Sequence, residues 1–126
     1  MSLFVKCAWF SLVHNTIANF SQVILNKKVP KDSISALVTP SGYSAGIVMN
    51  KNDQTIAYLN PNEKCNYAVS IGEQRAPGIT SGVNKNGDMI IEHIPKWHDI
   101  KEEDVVVTSG MDDIFPYGMK VGFVIS

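Results

Sequence analysis

The 126-residue chain carries 11 Lys and Arg against 12 Asp and Glu, a formal net charge of −1, with 44% hydrophobic and only 18% charged residues. With no cationic excess, and Lys27-Lys28 the only adjacent basic pair, it lacks the electrostatic footprint of a nucleic-acid binder. No apolar run reaches the ~18 residues of a membrane-spanning helix.

A chain of this length makes one compact domain, or two very small ones sharing an interface, and buries roughly two-thirds of its unfolded surface. Its charged fraction lies below the roughly 25% of an average globular protein. That leaves more neutral surface, which suits a chain that meets partners. Cys7 and Cys65 show no close metal-ligand spacing, and His14, His93 and His98 are scattered, with Pro95 between the last two. No metal or other cofactor is expected. The distant cysteines make either one disulfide or two buried thiols, and the thiols are the expectation.

The predicted elements are short β-runs cut by turn chemistry. Residues 3–13 and 20–25 open the set, dense in Val, Ile and aromatics. The first of these is too short and too interrupted by Lys6 for a signal peptide, and lacks a basic start and cleavage site. The chain is read as an ectodomain segment of a longer protein, and the absence of an anchor in it says nothing about the parent. Residues 34–39 lead into Pro40-Ser41-Gly42, where Pro sets its own φ and Gly supplies a positive one. Strands follow at 44–49 and 54–59, separated by Asn50-Lys51-Asn52-Asp53, and Asn60-Pro61-Asn62 ends the second.

Residues 67–71 alternate Tyr67, Val69 and Ile71 with Ala68 and Ser70, the pattern of a half-buried strand. After Pro77-Gly78 come strands at 79–83 and 88–94, joined by Asn84-Lys85-Asn86-Gly87. That Asn-Gly pair is the strongest hairpin signal in the chain. Runs at 105–108 and 121–125 complete about ten short strands, the count of a sandwich or of barrels.

An internal repeat sharpens the reading. Ala36-Leu37-Val38-Thr39-Pro40-Ser41-Gly42 is followed by Gly46-Ile47-Val48-Met49. Val105-Val106-Val107-Thr108-Ser109-Gly110 is followed, after a longer loop, by Gly122-Phe123-Val124-Ile125. The expectation is an all-β chain of two small related β-barrels without a long helix. Residues 1–62 form the first unit and 63–126 the second.

Catalytic motifs are missing. Ser41, Ser81 and Ser109 each precede a Gly, but none sits in a Gly-Asp-Ser-Gly or Gly-x-Ser-x-Gly setting. Turn serines explain them better than nucleophiles do. No phosphate loop is present, and Asp112-Asp113 and Glu102-Glu103-Asp104 read as solvated loop charge. What remains is aromatic residues in loops, at Tyr43, Trp97, Phe115 and Tyr117. Such residues bury large area at small rotamer cost and so anchor interfaces. Packing competes with docking for each: Phe115 reads first as a plug for a barrel end, whereas the other three fit either role.

The run Glu103-Asp104-Val105-Val106-Val107-Thr108-Ser109-Gly110, then Ile114-Phe115-Pro116-Tyr117-Gly118 and Val121-Gly122, resembles the MreC family. Val38-Thr39-Pro40-Ser41-Gly42 with Gly46-Ile47-Val48, Arg75-Ala76-Pro77-Gly78-Ile79 and Ile94-Pro95 follow in that family's order. Glu103 stands where Gly is usual, and Leu59-Asn60-Pro61 replaces Thr-Asp-Pro. Nearly the whole chain is covered, although the family continues with further strand beyond Val121-Gly122. The resemblance implies a pair of β-barrels in a loosely trypsin-like double-barrel arrangement with no catalytic residues, lying outside the cytoplasmic membrane in the periplasm and tethered to that membrane in the full-length protein. It implies a scaffold of the elongation machinery that docks an elongation-specific penicillin-binding transpeptidase. Other shape-determining membrane and cytoskeletal proteins, and itself as a homo-oligomer, are the further partners implied. Two other classes compete: an inactive or unusual trypsin-like serine hydrolase, and a glycan-binding module whose aromatics stack on sugars.

Overall fold

In the computed structural model the described residues are 2–7, 22–96 and 99–126. Runs of β-branched and aromatic residues, cut by Gly, Pro and Asn, fold them into ten strands. These are β1 (Leu3–Cys7), β2 (Gln22–Leu25), β3 (Ile34–Val38), β4 (Ser44–Lys51), β5 (Gln54–Leu59), β6 (Ala68–Ile71), β7 (Ala76–Val83), β8 (Met89–Glu92), β9 (Val105–Thr108) and β10 (Lys120–Val124). No helix occurs among the described residues. The all-β expectation holds.

Six strands close into a barrel in the order β1-β10-β9-β6-β7-β8, and four make a sheet in the order β2-β5-β4-β3. Every pairing between strands is antiparallel. The second expected unit is thus a closed barrel, and the first is described as a sheet over residues 22–59. A boundary at residue 62 misplaces β1. Leu3–Cys7 lies between β8 and β10, with Leu3 opposite Ile91 and Val5 opposite Val124. Without it β8 and β10 would be open edges. Val5 is fully buried inside the barrel. The run expected over 3–13 is described as strand only to Cys7.

The predicted hairpins form. The β7–β8 turn closes with Asn84 N donating to Asp88 O at 2.9 Å, and Asn84 Oδ1 accepts from the amides of Asn86 and Asp88. β7 starts at Ala76, earlier than the Pro77-Gly78 punctuation indicates, with Pro77 opposite Ser70. A proline is tolerated there because pairing with β8 begins only at Ile79, so its missing N–H leaves no gap on that side.

The repeat is structural as well as sequential. β3 and β9 each lead into the strand they pair with, β4 and β10. Thr39 N donates to Tyr43 O at 2.9 Å while Thr39 Oγ1 accepts from Tyr43 N. Thr108 N likewise donates to Met119 O at 2.9 Å while Thr108 Oγ1 accepts from Met119 N. Gly42 (φ 89°) and Gly118 (φ 96°) both donate their N–H to the carbonyl of that threonine. One turn plan is used twice, with residues 109–118 replacing the short Pro40-Ser41-Gly42 connection.

A single core runs through both units. Val69, Ile71, Met89, Ile91, Val106 and Val121 of the barrel pack in one cluster with Ile47, Ile56 and Tyr58 of the sheet. Along β7 burial alternates residue by residue, as a half-exposed barrel strand requires. At the junction the Tyr67 hydroxyl donates to Asn60 Oδ1 at 2.9 Å and shares a 2.9 Å hydrogen bond with Ser44 Oγ. Asn60 Nδ2 in turn donates to Ser44 O at 3.0 Å. Cys65 is a buried thiol directed at the same Asn60 oxygen, 3.9 Å away.

Tyr67→Phe keeps the ring and removes one hydroxyl from this network. It is expected to lower the unfolding free energy by about 1–3 kcal/mol, the cost of leaving buried partners unsatisfied. Urea denaturation of the two proteins side by side measures it.

Candidate functional site

The loop from Ser109 to Met119 departs most from the short turn of the first repeat, and it is pinned from beneath. Asp112 Oδ2 accepts from Ala68 N at 2.7 Å and its Oδ1 from Ile114 N at 3.1 Å. Thr108 Oγ1 donates to Pro116 O at 2.6 Å. Gly110 has φ 76° and passes so close to Tyr117 that an added Cβ would sit 3.2 Å from its backbone nitrogen. Phe115 enters the core, with its ring centroid 4.6 Å from that of Tyr67.

These anchors leave two large side chains facing outward: Met111 is 85% exposed and Tyr117 is 54% exposed. Opposite them lies the outer face of β6 and β7. Ala68 and Ser70 are cross-strand partners of Ile79 and Pro77, and Ile79 is 40% exposed. Loop and strands enclose an apolar groove of about 490 Å³. Arg75, in the β6–β7 turn at φ 53°, lays its guanidinium 5.0 Å from the Tyr117 ring centroid. His93 and Ser109 also line the groove.

The four aromatic candidates separate. Tyr117 is in the groove. Phe115, at 3% exposure, is a core residue, because Asp112 and Thr108 tie down the loop on either side of it and direct its ring inward. It presents no face to a partner. Tyr43 is half-buried elsewhere, bridged to Lys120, whose ammonium lies 5.6 Å from its ring. Trp97, like His14 and His98, lies outside the described residues.

Sequence reasoning missed Met111, Arg75, Pro77 and Ile79. Arg75-Ala76-Pro77 was visible as a motif but not as a surface, and Ile79 is outward only because burial alternates along β7. Asp112 is no solvated loop charge: its carboxylate is committed to two backbone amides.

Among the described residues none of the three serines is hydrogen-bonded to a histidine. Ser41 is exposed in the β3–β4 turn and Ser81 is half-buried on β7. Ser109 shares the groove with His93, but its Oγ accepts from Met111 N at 3.3 Å and no hydrogen bond joins it to His93. No cluster of His, Cys, Asp and Glu able to hold a metal ion occurs among the described residues.

Comparison with known proteins decides the family. Residues 55–126, covering β5 to β10, match the family model described as rod shape-determining protein MreC, barrel core. The chain belongs to the MreC family. An MreC from Helicobacter pylori, solved in a complex with the penicillin-binding protein PBP2, is 26% identical over 100% of this chain and 78% of its own, with a TM-score of 0.79. An MreC of Listeria monocytogenes is 23% identical over 98% of this chain and 59% of that one, with a TM-score of 0.66. The major periplasmic domain of a cell shape-determining filament MreC gives 21% identity, a TM-score of 0.68 and coverage of 100% and 76%. The last two share the fold. No curated protein matches the chain.

The division between anchoring and projecting residues is testable by stability alone. Phe115→Ala is expected to cost about 3–5 kcal/mol, as for a buried ring lost from a core. Met111→Ser and Tyr117→Ser are each expected to stay within about 0.5 kcal/mol. Chemical denaturation of the three variants checks the difference.

Proposed function

We propose that this chain is a non-catalytic, extracytoplasmic scaffold module of cell elongation that docks a penicillin-binding transpeptidase through the β6–β7 groove. The observation that carries the reading is the groove itself: a preformed apolar surface, framed by a pinned loop, in a chain similar along its full length to an MreC solved with PBP2. Clustered apolar and aromatic side chains held by a rigid scaffold supply binding energy with little ordering cost. Met111, Ile79 and Tyr117 are the anchors. In this reading the module is tethered to the cytoplasmic membrane by a segment outside this sequence. Its contacts with other shape-determining membrane and cytoskeletal proteins lie beyond the groove.

The test is titration calorimetry against the ectodomain of the elongation-specific penicillin-binding transpeptidase of the same cell. Wild type is expected to saturate at micromolar or tighter affinity. Met111→Asp and Ile79→Asp are each expected to weaken binding at least about ten-fold, or 1.4 kcal/mol. Unchanged affinity in both folded variants sinks the groove assignment.

Self-association has its own support. β3 ends the four-stranded sheet among the described residues, and Ile34 and Val38 on it are each 44% exposed. Its sequence, Ile34-Ser35-Ala36-Leu37-Val38, contains none of the charges or prolines that normally blunt an edge. Pairing of β3 between two copies is therefore a second contact of the scaffold. Light scattering over a wide concentration range is expected to show wild type growing beyond monomer. Ile34→Lys combined with Val38→Lys should hold it there, and a monomeric wild type throughout removes the contact.

A further inference from the structure

The groove is apolar, yet its charge is one-sided. Its ionisable lining residues other than Tyr117 are Arg75 and His93, and no carboxylate lines it. In the loop, Asp112 is occupied by the amides of Ala68 and Ile114. Glu73, Glu103 and Asp104 line a separate pocket that Tyr117 also borders. Arg75 makes no ion pair with any of them among the described residues, and its guanidinium lies 5.0 Å from the Tyr117 ring centroid.

A guanidinium offers two kinds of surface. Its flat face stacks on aromatic rings, and its N–H donors lie in the plane, in a fork that matches the two oxygens of a carboxylate. The contact with the Tyr117 ring takes up no N–H donor in a hydrogen bond, and no described residue accepts from the guanidinium, so the fork is available. The contact also restrains a long side chain beforehand, so less freedom is lost when a partner arrives. An unpaired, pre-oriented cation beside an apolar groove favours one kind of visitor. A neutral apolar segment leaves the charge unanswered, and a basic one is repelled.

We infer that the Arg75–Tyr117 pair is a carboxylate-binding subsite of the groove. The docked segment presents an Asp or Glu side chain to the Arg75 fork, next to an apolar side chain lodged between Met111 and Ile79. This rests on the docking reading above and adds the chemistry of the occupant. Tyr117 acts through Arg75 as a positioning residue, which requires its ring and not its hydroxyl.

The test is the affinity of the same transpeptidase ectodomain at low and at high sodium chloride for wild type, R75Q, R75K, Y117F and Y117A, with circular dichroism as the fold control. R75Q removes the charge at an exposed position and keeps a comparable side chain at the same backbone angle. It is expected to bind about ten-fold more weakly at low salt, the loss of a charge-assisted hydrogen bond, and to lose most of the wild-type salt dependence. R75K keeps the charge but not the fork and falls between the two. Y117F is expected to bind as wild type, and Y117A to follow R75Q. If R75Q matches wild type in affinity and salt dependence while Met111→Asp still weakens binding, the groove docks its partner without reading a carboxylate and the subsite is overturned. If neither variant weakens a complex that wild type forms, the docking assignment falls together with the subsite.

Discussion

The hydroxyl and ring of Tyr67 tie together the sheet, the barrel and the β9–β10 loop. The residue sits just before β6, at the entry to the barrel. Its hydroxyl reaches Ser44 on β4 and Asn60 just past β5, and its ring receives Phe115 from the β9–β10 loop. Apolar contact is tolerant of sliding, whereas a buried hydrogen-bond set is not, since each partner left unsatisfied costs about 1–3 kcal/mol. The network therefore sets the register between sheet and barrel. Through Phe115 it also sets the height at which the groove loop rests on the barrel. Tyr67 N adds a hydrogen bond to Thr80 Oγ1 at 3.0 Å, which holds β6 against β7, the two strands that floor the groove.

The site arises where the repeat is broken. In both halves a threonine closes the turn with the same pair of hydrogen bonds, and a glycine at positive φ returns the chain. In the first half two residues, Pro40 and Ser41, lie between them. In the second, residues 109–117 do, and that insertion carries Met111, Asp112, Phe115 and Tyr117. The shared frame keeps the ends of the loop where a short turn would put them. The added residues fold over the neighbouring strands instead of extending into solvent, because Asp112 bonds β6 and Phe115 enters the core. An outward apolar groove thus forms without any change to the strand plan beneath it.

Much of this was legible in the sequence, for identifiable reasons. Period-two alternation and turn chemistry located the strands to within a few residues, and the Asn-Gly hairpin formed where expected. The threonine of each half announced the repeat, but the glycine that closes the second turn is Gly118 and not Gly110 of the Thr-Ser-Gly run. What local pattern does not carry is which strand closes a barrel. Leu3–Cys7 pairs with residues some hundred positions later, so its place depends on the open edges of β8 and β10 and not on its own composition. The groove was half visible. The loop-aromatic signal gave Tyr117 and Phe115 alike, and only the hydrogen bonds of Asp112 and Thr108 separate a ring turned inward from one turned outward. Arg75 and Ile79 could not be assigned to a surface before β6 and β7 were paired.

The distribution of anchored and projecting residues has a consequence for how such a surface changes. Met111, Tyr117 and Arg75 are exposed and contribute little to folding, so substitutions there leave the barrel standing. Phe115, Asp112, Thr108 and Gly110 hold the loop and are constrained by packing, hydrogen bonding or backbone angle. A surface of this kind can follow a changing partner through its projecting residues while its shape is kept by those beneath. In the docking reading proposed above, a loop held by these anchors leaves little conformational freedom to be lost on contact, and affinity then depends on the fit of a few side chains more than on buried area. Loosening an anchor would weaken docking even with every contacting side chain intact, since the ordering cost would then fall on the binding step.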